Sequence, residues 1–438
     1  MMEPVKVGVL GLGTVGAGVV NLLARNGDEI TRRAGREIRV TRAAVRSLDR
    51  ARDCETGAID IGTDARAIVE DPNIDVVLEL IGGDELAYEL VMAAIANGKH
   101  VVTANKHLIA LHGNEIFAAA DEAGVVVSFE AAVAGGIPII KAIRESLAAN
   151  RIEWVAGIIN GTGNFILSQM KFEGVTFEQA LAEAQKLGFA EADPTFDVDG
   201  IDAAHKLAIL GSIAFGIPLS FDRIVTDGIR GIAADDIEYA EELGYRVKHL
   251  GIAQRQETGV AMRVHPTLVP ERALLANVEG EKNAIMVHGD AVGPTAYYGA
   301  GAGAGATASA VVADLIDTAR MMSVDPSGRV PHLAFQPDQI TEEPILESPD
   351  FVCGHYFRVQ VADKTGVMAE ITRMLAELEI GIEAILQKDP PTAEDDARVI
   401  IVTKPAREGT LHEALDHIKA LPTTRDGVVH YRVAEFED

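Results

Sequence analysis

Short apolar runs, each closed by a glycine or a polar turn, set the rhythm of the first third of the chain. Val5 to Leu10, Ile38 to Val45, Asp75 to Ile81, Lys99 to Thr103 and Val125 to Phe129 read as short strands with little polar alternation. Helical patterns follow, as in AGVVNLLARN after the first of them. Strand and helix in alternation predict a doubly wound, mostly parallel sheet. From about residue 146 the character changes, with strand-like stretches at Ile152 to Ile159 and Ala261 to Val269 and helices between. One helix there, running LAILGSIAFGI after Lys206, is apolar on nearly every face, which predicts burial all round. Val324 to Pro349 turns to Pro, Ser, Gln and Glu with little periodicity and reads as a linker. From Phe351 onward, strands and amphipathic helices follow in the order βαββαβ, with later elements at Ala397 to Thr403, Thr410 to Ala420 and Gly427 to Val433. That order is the split βαβ, ferredoxin-like unit, and its lack of obvious catalytic residues makes it a binding or assembly module.

Composition narrows the setting. A length of 438 residues suits two to four domains. A net charge of −27 speaks against nucleic acid or an anionic membrane as partner. Cys54 and Cys353 give neither a disulfide framework nor a metal spacing, which points to a reducing, cytoplasmic compartment. No apolar run is long enough to span a bilayer, and MMEPVKVGVLGLG goes straight into a strand and turn rather than a signal peptide.

The first strand leads into Gly11-Leu-Gly13-Thr14-Val15-Gly16 and a helix, which is the dinucleotide fingerprint. The glycines permit the tight turn, the approach of a pyrophosphate and the packing of helix on strand. The alternative is a glycine-rich turn that binds nothing. The second strand ends in Arg46-Ser47, where NAD would favour an acid and a 2′-phosphate a guanidinium; NADP is favoured, with Asp49 leaving NAD open. Thr103 and Lys106 lie at a strand end, where an open sheet binds its ligand, although Lys106 also suits a helix start. Glu130 opens EAAVAGGIPII, whose carbonyls suit a hard monovalent cation. The turn Asn160-Gly161-Thr162-Gly163-Asn164 offers N–H groups and a hydroxyl to a small polar ligand, or simply caps a helix. Tyr297 to Gly305 reads as a second glycine-rich turn into a helix, by which the chain returns to the nucleotide domain.

The stretch GFAEADPTFDVDGIDAAHK, Gly188 to Lys206, organises the rest. Asp202 and Lys206 are four apart on the apolar helix and share a face. Buried charges are costly unless paired and hydrogen-bonded, so they mark either site chemistry or a structural ion pair, with Asp199 and Asp202 as capping acids. His205 beside them reads as a packing residue.

These motifs, VGVLGLGTVG, VVTANK, GIINGTGN, GFAEADPTFDVDGIDAAHK and GAGAGATASAVVADL, resemble homoserine dehydrogenase along essentially the whole chain. VADKTGVMAEI resembles an ACT regulatory domain. Gly163 and the lack of a proline before Thr307 are small departures from the pattern. The expected fold is α/β, with four parts. A Rossmann-type NAD(P)-binding domain spans 1–145 plus about 295–323, and an α+β substrate-binding and dimerisation domain spans 146–294. A linker covers 324–350 and a ferredoxin-like ACT domain 351–438. The resemblance implies reversible NAD(P)-dependent interconversion of L-homoserine and L-aspartate 4-semialdehyde, on the route to threonine, methionine and isoleucine. It implies Lys206 as proton donor, Lys106 as second catalytic lysine, and Glu191 and Asp202 at the substrate's amino end, with Gly161 and Thr162 also binding substrate. Gly11, Gly13, Thr14, Val15, Gly16, Arg46, Thr103, Lys106, Gly188 and Gly303 would contact the cofactor. Glu130, Val133, Gly135 and Ile137 would hold sodium, mainly through carbonyls. A threonine effector and a homodimer or homotetramer are implied as well. A phosphorylating semialdehyde dehydrogenase would need an activated cysteine, which neither Cys54 nor Cys353 suits. A non-catalytic nucleotide and amino-acid sensor is the remaining alternative.

Overall fold

The computed structural model of the protein describes residues 3–388, 396–425, 427–434 and 436. Of the predicted domains, residues 1–2, 389–395, 426, 435, 437 and 438 lie outside them. The chain divides into two units, one of Met1–Val155, Ala204–Asp222 and Lys282–Glu342, the other of Ala156–Ala203, Arg223–Glu281 and Glu343–Asp438. Two of the divisions fall inside the strand Ile152–Ile158 and the helix Ile201–Phe215.

In the first unit a parallel sheet runs in the spatial order Asp60–Gly62, Ile38–Ala44, Val5–Leu10, Val76–Glu79, His100–Thr103, Val127–Ser128. In chain numbering that is 3-2-1-4-5-6, the doubly wound order, whose crevice opens at the carboxyl ends where the order reverses. The strands stay apolar because helices cover both faces: Val7, Val9, Val76, Leu78 and Val102 are fully buried. The helix Ala304–Met321 packs beside Thr14–Ala34. A Cβ on Gly18 would stand 2.8 Å from the Ala304 carbonyl, so glycine permits that approach.

The stretch from Tyr297 differs from the expected turn. Gly293–Ala300 is a strand, antiparallel to Lys282–Gly289, and the turn shrinks to the residues between Ala300 and Ala304. Its side chains alternate between exposed and half-buried up to Tyr298, so period two prevails over glycine content. The predicted linker holds short 3-10 turns, each with an early proline, at Pro326–Gly328, Pro337–Gln339 and Ser348–Asp350.

In the second unit, Tyr245–Gln256 and Gly259–Pro270 form a long antiparallel hairpin. Val429–Val433 runs parallel to the second of these, pairing Thr267 with Arg432. Next come Val352–Ala362, Asp396–Thr403 and Ile382–Lys388, all antiparallel. With helices Val367–Glu377 and Glu408–Lys419, the C-terminal module has strand order 4-1-3-2, which is the ferredoxin-like topology. One sheet face, with Phe357, Val359 and Ile401, packs on Ile371, Leu375, Leu411 and Leu415 of those helices. The opposite face, with Tyr356, Ile400, Val402 and Tyr431, packs on Phe165, Met170, Ile237 and Ala240. The helices bearing these four, Gly161–Glu173 and Ala234–Glu242, precede the module in the chain. Asp236, on the second of them, accepts from Tyr356 Oη at 2.8 Å and from Arg358 Nε and Nη2 at 2.6 and 3.0 Å. One face of the module's sheet is therefore covered by its own helices, and the other ties it to the rest of the second unit. Among the described residues no helix is long and apolar enough to cross a membrane.

Candidate active site

Two glycines of the turn in the first unit are required sterically, and the third leaves an open space. Gly11 has φ +99°, and a Cβ there would lie 2.8 Å from the Leu80 carbonyl. A Cβ on Gly16 would lie 2.1 Å from the Gly11 carbonyl. Gly13 has nothing within 4 Å of its Cβ position, and as N-cap it gives the helix Thr14–Ala34 no side-chain cap. The amides of Thr14, Val15 and Gly16 thus head a helix whose N-terminus is left for an anion, over an open space that a side chain would fill. This cradle fits the pyrophosphate of a dinucleotide. Arg46 lies two residues beyond the second strand and Asp49 five, and both are exposed. Gly303, at φ +112° and open, begins the helix Ala304–Met321, and Gly188, at φ +78° and also open, ends Phe177–Leu187 in the second unit.

A residue that sequence reasoning passed over anchors the next loops. Glu79 ends its strand fully buried. One carboxylate oxygen accepts from the Ile81 and Gly82 amides, both at 3.0 Å, and the other from the Thr103 hydroxyl at 2.6 Å. Burial pushes the Glu79 carboxyl above its ordinary range, against the pull of these donors. Thr103 Oγ1 in turn accepts from the Asn105 amide, Asn105 Nδ2 donates to the Gly83 carbonyl, and Asn105 Oδ1 caps Leu108. Lys106 is the first residue of the helix so fixed. The one signal in the sequence is an acid inside the apolar run VVLELIGG. Glu79→Ala strands three donors, which costs about 2–4 kcal/mol. Urea unfolding should show that loss, with Glu79→Gln losing less because an amide still accepts from the loop.

The predicted cation loop is built on Glu130, whose side chain is already engaged. Its two oxygens accept from the Ile140 and Lys141 amides at 3.0 and 2.8 Å, and its own N–H donates to Asp314 at 2.8 Å. Burial pushes the Glu130 carboxyl up to about 7. Burial, then the neighbouring Glu130, raises Asp314 well above the usual range. What remains for a cation is main-chain carbonyl, at Glu130, Val133, Gly135 and Ile137. Ala134 sits among them at φ +48°, a conformation that a residue with a Cβ adopts only when its surroundings impose it. Gly136 donates to the Ala300 carbonyl, and a Cβ on Gly135 would meet Thr307 Oγ1 at 2.9 Å, so the loop is pressed against 300–307. Among the described residues, no three His, Cys, Asp or Glu side chains cluster as metal ligands.

Lys206 lies on the helix Ile201–Phe215. From Asp202 to Ile217 every residue is buried except Lys206, which is half-buried. His205 is buried, its ring stacked on Phe221 at 4.3 Å and edge-on to His107 at 4.8 Å. The residues next to the two lysines, His107 and His205, therefore touch. His205 packs, and in doing so it joins the helix of Lys106 to the helix of Lys206.

In the second unit, Asn160 gathers the acids. Its Nδ2 lies 2.8 Å from both Asp197 Oδ1 and Asp202 Oδ2, while its Oδ1 accepts from the Gly163 amide at 2.7 Å. Thr162 donates its hydroxyl to the Phe189 carbonyl at 2.8 Å, which leaves its oxygen as an acceptor only; Gly161 begins the helix. Asp199 pairs with Arg230 at 2.6 Å, and Arg230 also reaches Thr195 at 3.2 Å. Glu191 is exposed, and Gln185 holds its carbonyl at 3.0 Å. Neither cysteine is an activated thiol by position. Burial raises the Cys54 pKa, opposed by Arg52, and Cys353 is buried.

Known proteins agree with this architecture. A family profile described as homoserine dehydrogenase matches residues 138–316, and one described as homoserine dehydrogenase, NAD binding domain, matches 11–130. The homoserine dehydrogenase of Pseudomonas aeruginosa is 58% identical over 99% of this chain and 100% of its own. That of Bacillus subtilis is 38% identical over 99% of each. The chain belongs to the homoserine dehydrogenase family. The solved structure of a homoserine dehydrogenase from Thiobacillus denitrificans superposes with a TM-score of 0.94 at 58% identity, covering 99% of this chain and 98% of that one. A hyperthermophilic archaeal homoserine dehydrogenase solved in complex with NADPH has a TM-score of 0.62 at 27% identity, over 72% of this chain and 97% of its own. The α/β fold with its N-terminal NAD-binding domain is that of the family, and the chain is an NAD(P)-dependent oxidoreductase. One profile spans Gly11 to Glu130, and the other contains Asn160, Asp202, Lys206 and Gly303.

Proposed function

We propose that the chain reduces L-aspartate 4-semialdehyde reversibly to L-homoserine, on the route to threonine, methionine and isoleucine. The observation that carries this reading is the helix Ile201–Phe215, which keeps a carboxylate and an ammonium one turn apart on a buried, mostly apolar helix. A nicotinamide cofactor supplies or takes the hydride. Lys206 gives its proton to the aldehyde oxygen as negative charge builds there, and Lys106 adds a second cationic donor. Asp202 and Glu191 hold the α-ammonium group, and the Gly161–Thr162 turn presents main-chain N–H groups to the substrate. The amides of Thr14 to Gly16 hold the cofactor phosphates, with Gly11, Thr103 and Gly303 of the same unit lining its path, and Gly188 is a further cofactor contact by resemblance to the family. Arg46 favours NADP over NAD because a guanidinium binds a 2′-phosphate; the NADPH bound by the archaeal relative supports this choice. The carbonyls of Glu130, Val133, Gly135 and Ile137 would hold sodium, since hard ions take oxygen donors.

The C-terminal ferredoxin-like module, read as an ACT domain, would take threonine as feedback effector. A cavity of about 210 Å³ at the loop Asp363–Gly366, lined also by Val361, Gln387 and Val399, is of a size for an amino acid. The enzyme would work in the cytoplasm as a homodimer or homotetramer. If carboxylates hold the ammonium group, 4-hydroxybutyrate, which lacks it, leaves them unpaired. Its kcat/KM should fall at least about a hundredfold below that of L-homoserine. Equal turnover of the two alcohols would remove Asp202 and Glu191 from the substrate's amino end.

A further inference from the structure

The Asn160 side chain has none of the roles assigned above. It is 5% exposed and stands at the N-cap of the helix Gly161–Glu173. Serine or aspartate would cap that helix as well, so capping does not account for asparagine. An amide adds two donors to its one accepting oxygen. Here both acids that Nδ2 reaches, Asp197 and Asp202, come from separate segments, the turn Thr195–Val198 and the helix Ile201–Phe215. Two carboxylates meeting at one nitrogen repel, and in a buried setting one of them tends to take up a proton. A neutral side chain that donates to both opposes the repulsion without adding charge. Arg230 is committed to Asp199 and Thr195.

We propose that Asn160 is a positioning residue of the oxidoreductase reaction: by bridging Asp197 and Asp202 it fixes the Asp202 carboxylate for the substrate's ammonium group. This rests on the role given to Asp202 under Proposed function. Two substitutions separate bridging from capping. Asn160→Ser keeps the cap and adds no charge, but can donate to one acid at most. Asn160→Asp keeps the cap, donates to neither and adds a third carboxylate.

The thermal midpoint of Asn160→Ser should stay within a few degrees of wild type, since the cap is kept. KM for L-homoserine should rise about tenfold in Asn160→Ser and about a hundredfold in Asn160→Asp, with KM for the cofactor unchanged. In the aspartate variant the acid limb of kcat/KM should move to higher pH, because three carboxylates then compete to stay ionised. Unchanged KM for homoserine in Asn160→Ser, or an equal rise for homoserine and cofactor, overturns the proposal. Asp202→Asn run alongside tells the two levels apart. If it raises KM for homoserine while the Asn160 variants do not, positioning by Asn160 fails alone. If it leaves that KM unchanged, the role of Asp202 falls and the proposal with it.

Discussion

Glu408→Ala should lose about 3–5 kcal/mol of stability at neutral pH, the usual cost of leaving one member of a buried ion pair alone. Glu408 has no exposed surface. Its two oxygens take Arg432 Nη2 and Nε at 2.6 and 2.7 Å, in the bidentate geometry that gives the strongest such pairs. Arg432 also reaches Asp227 at 2.6 Å, so the pair links the last strand of the C-terminal module to the segment after Val225–Thr226. Burial alone would raise the Glu408 carboxyl; the hydrogen bonds and charge of Arg432, with the Ser348 hydroxyl, outweigh it and hold the group at about 2. A carboxylate depressed on folding stabilises the native state fully above its unfolded value, near 4.5, and loses that contribution as pH falls toward 2. The stability gap between wild type and Glu408→Gln should therefore be constant above about pH 5 and narrow progressively below it. Urea unfolding across pH 3 to 8 reads this directly. A gap that widens on acidification would contradict the assignment.

The parts legible in the sequence are those whose causes are local. Gly11 and Gly16 each answer a steric demand within the turn, and Gly13 leaves open the space before the helix, so their spacing announces it. The βαββαβ order shows because alternation with period two or 3.6 is written along each element. The parts missed depend on partners far along the chain. Glu79 looks like one polar residue in an apolar run until Thr103 and the 81–82 amides close around it. Asn160 reads as a helix cap until Asp197 and Asp202, 37 and 42 residues on, arrive at its other end. Tyr356 and Arg358 alternate as an outer strand face would, yet Asp236, more than a hundred residues earlier, covers them. Glycine content misled at 297–300, where sheet pairing with 282–285 continues a strand.

Lys206→Ala should lower kcat by about a hundred- to ten-thousandfold, the range that general acid–base groups supply. The helix Ile201–Phe215 should still form, because alanine is the best helix former and its neighbours Leu207, Ala208 and Ile209 stay buried. The loss falls on kcat, since a proton donor to the aldehyde oxygen acts in the transition state rather than in binding. The most direct measurement is steady-state oxidation of L-homoserine with NADP and with NAD, by wild type and by Lys206→Ala at matched fold content. Turnover by the wild type, lower KM for NADP and a kcat in the variant reduced at least about a hundredfold is the predicted result. Wild-type turnover that survives unchanged without the lysine, or no turnover with either cofactor, would contradict it.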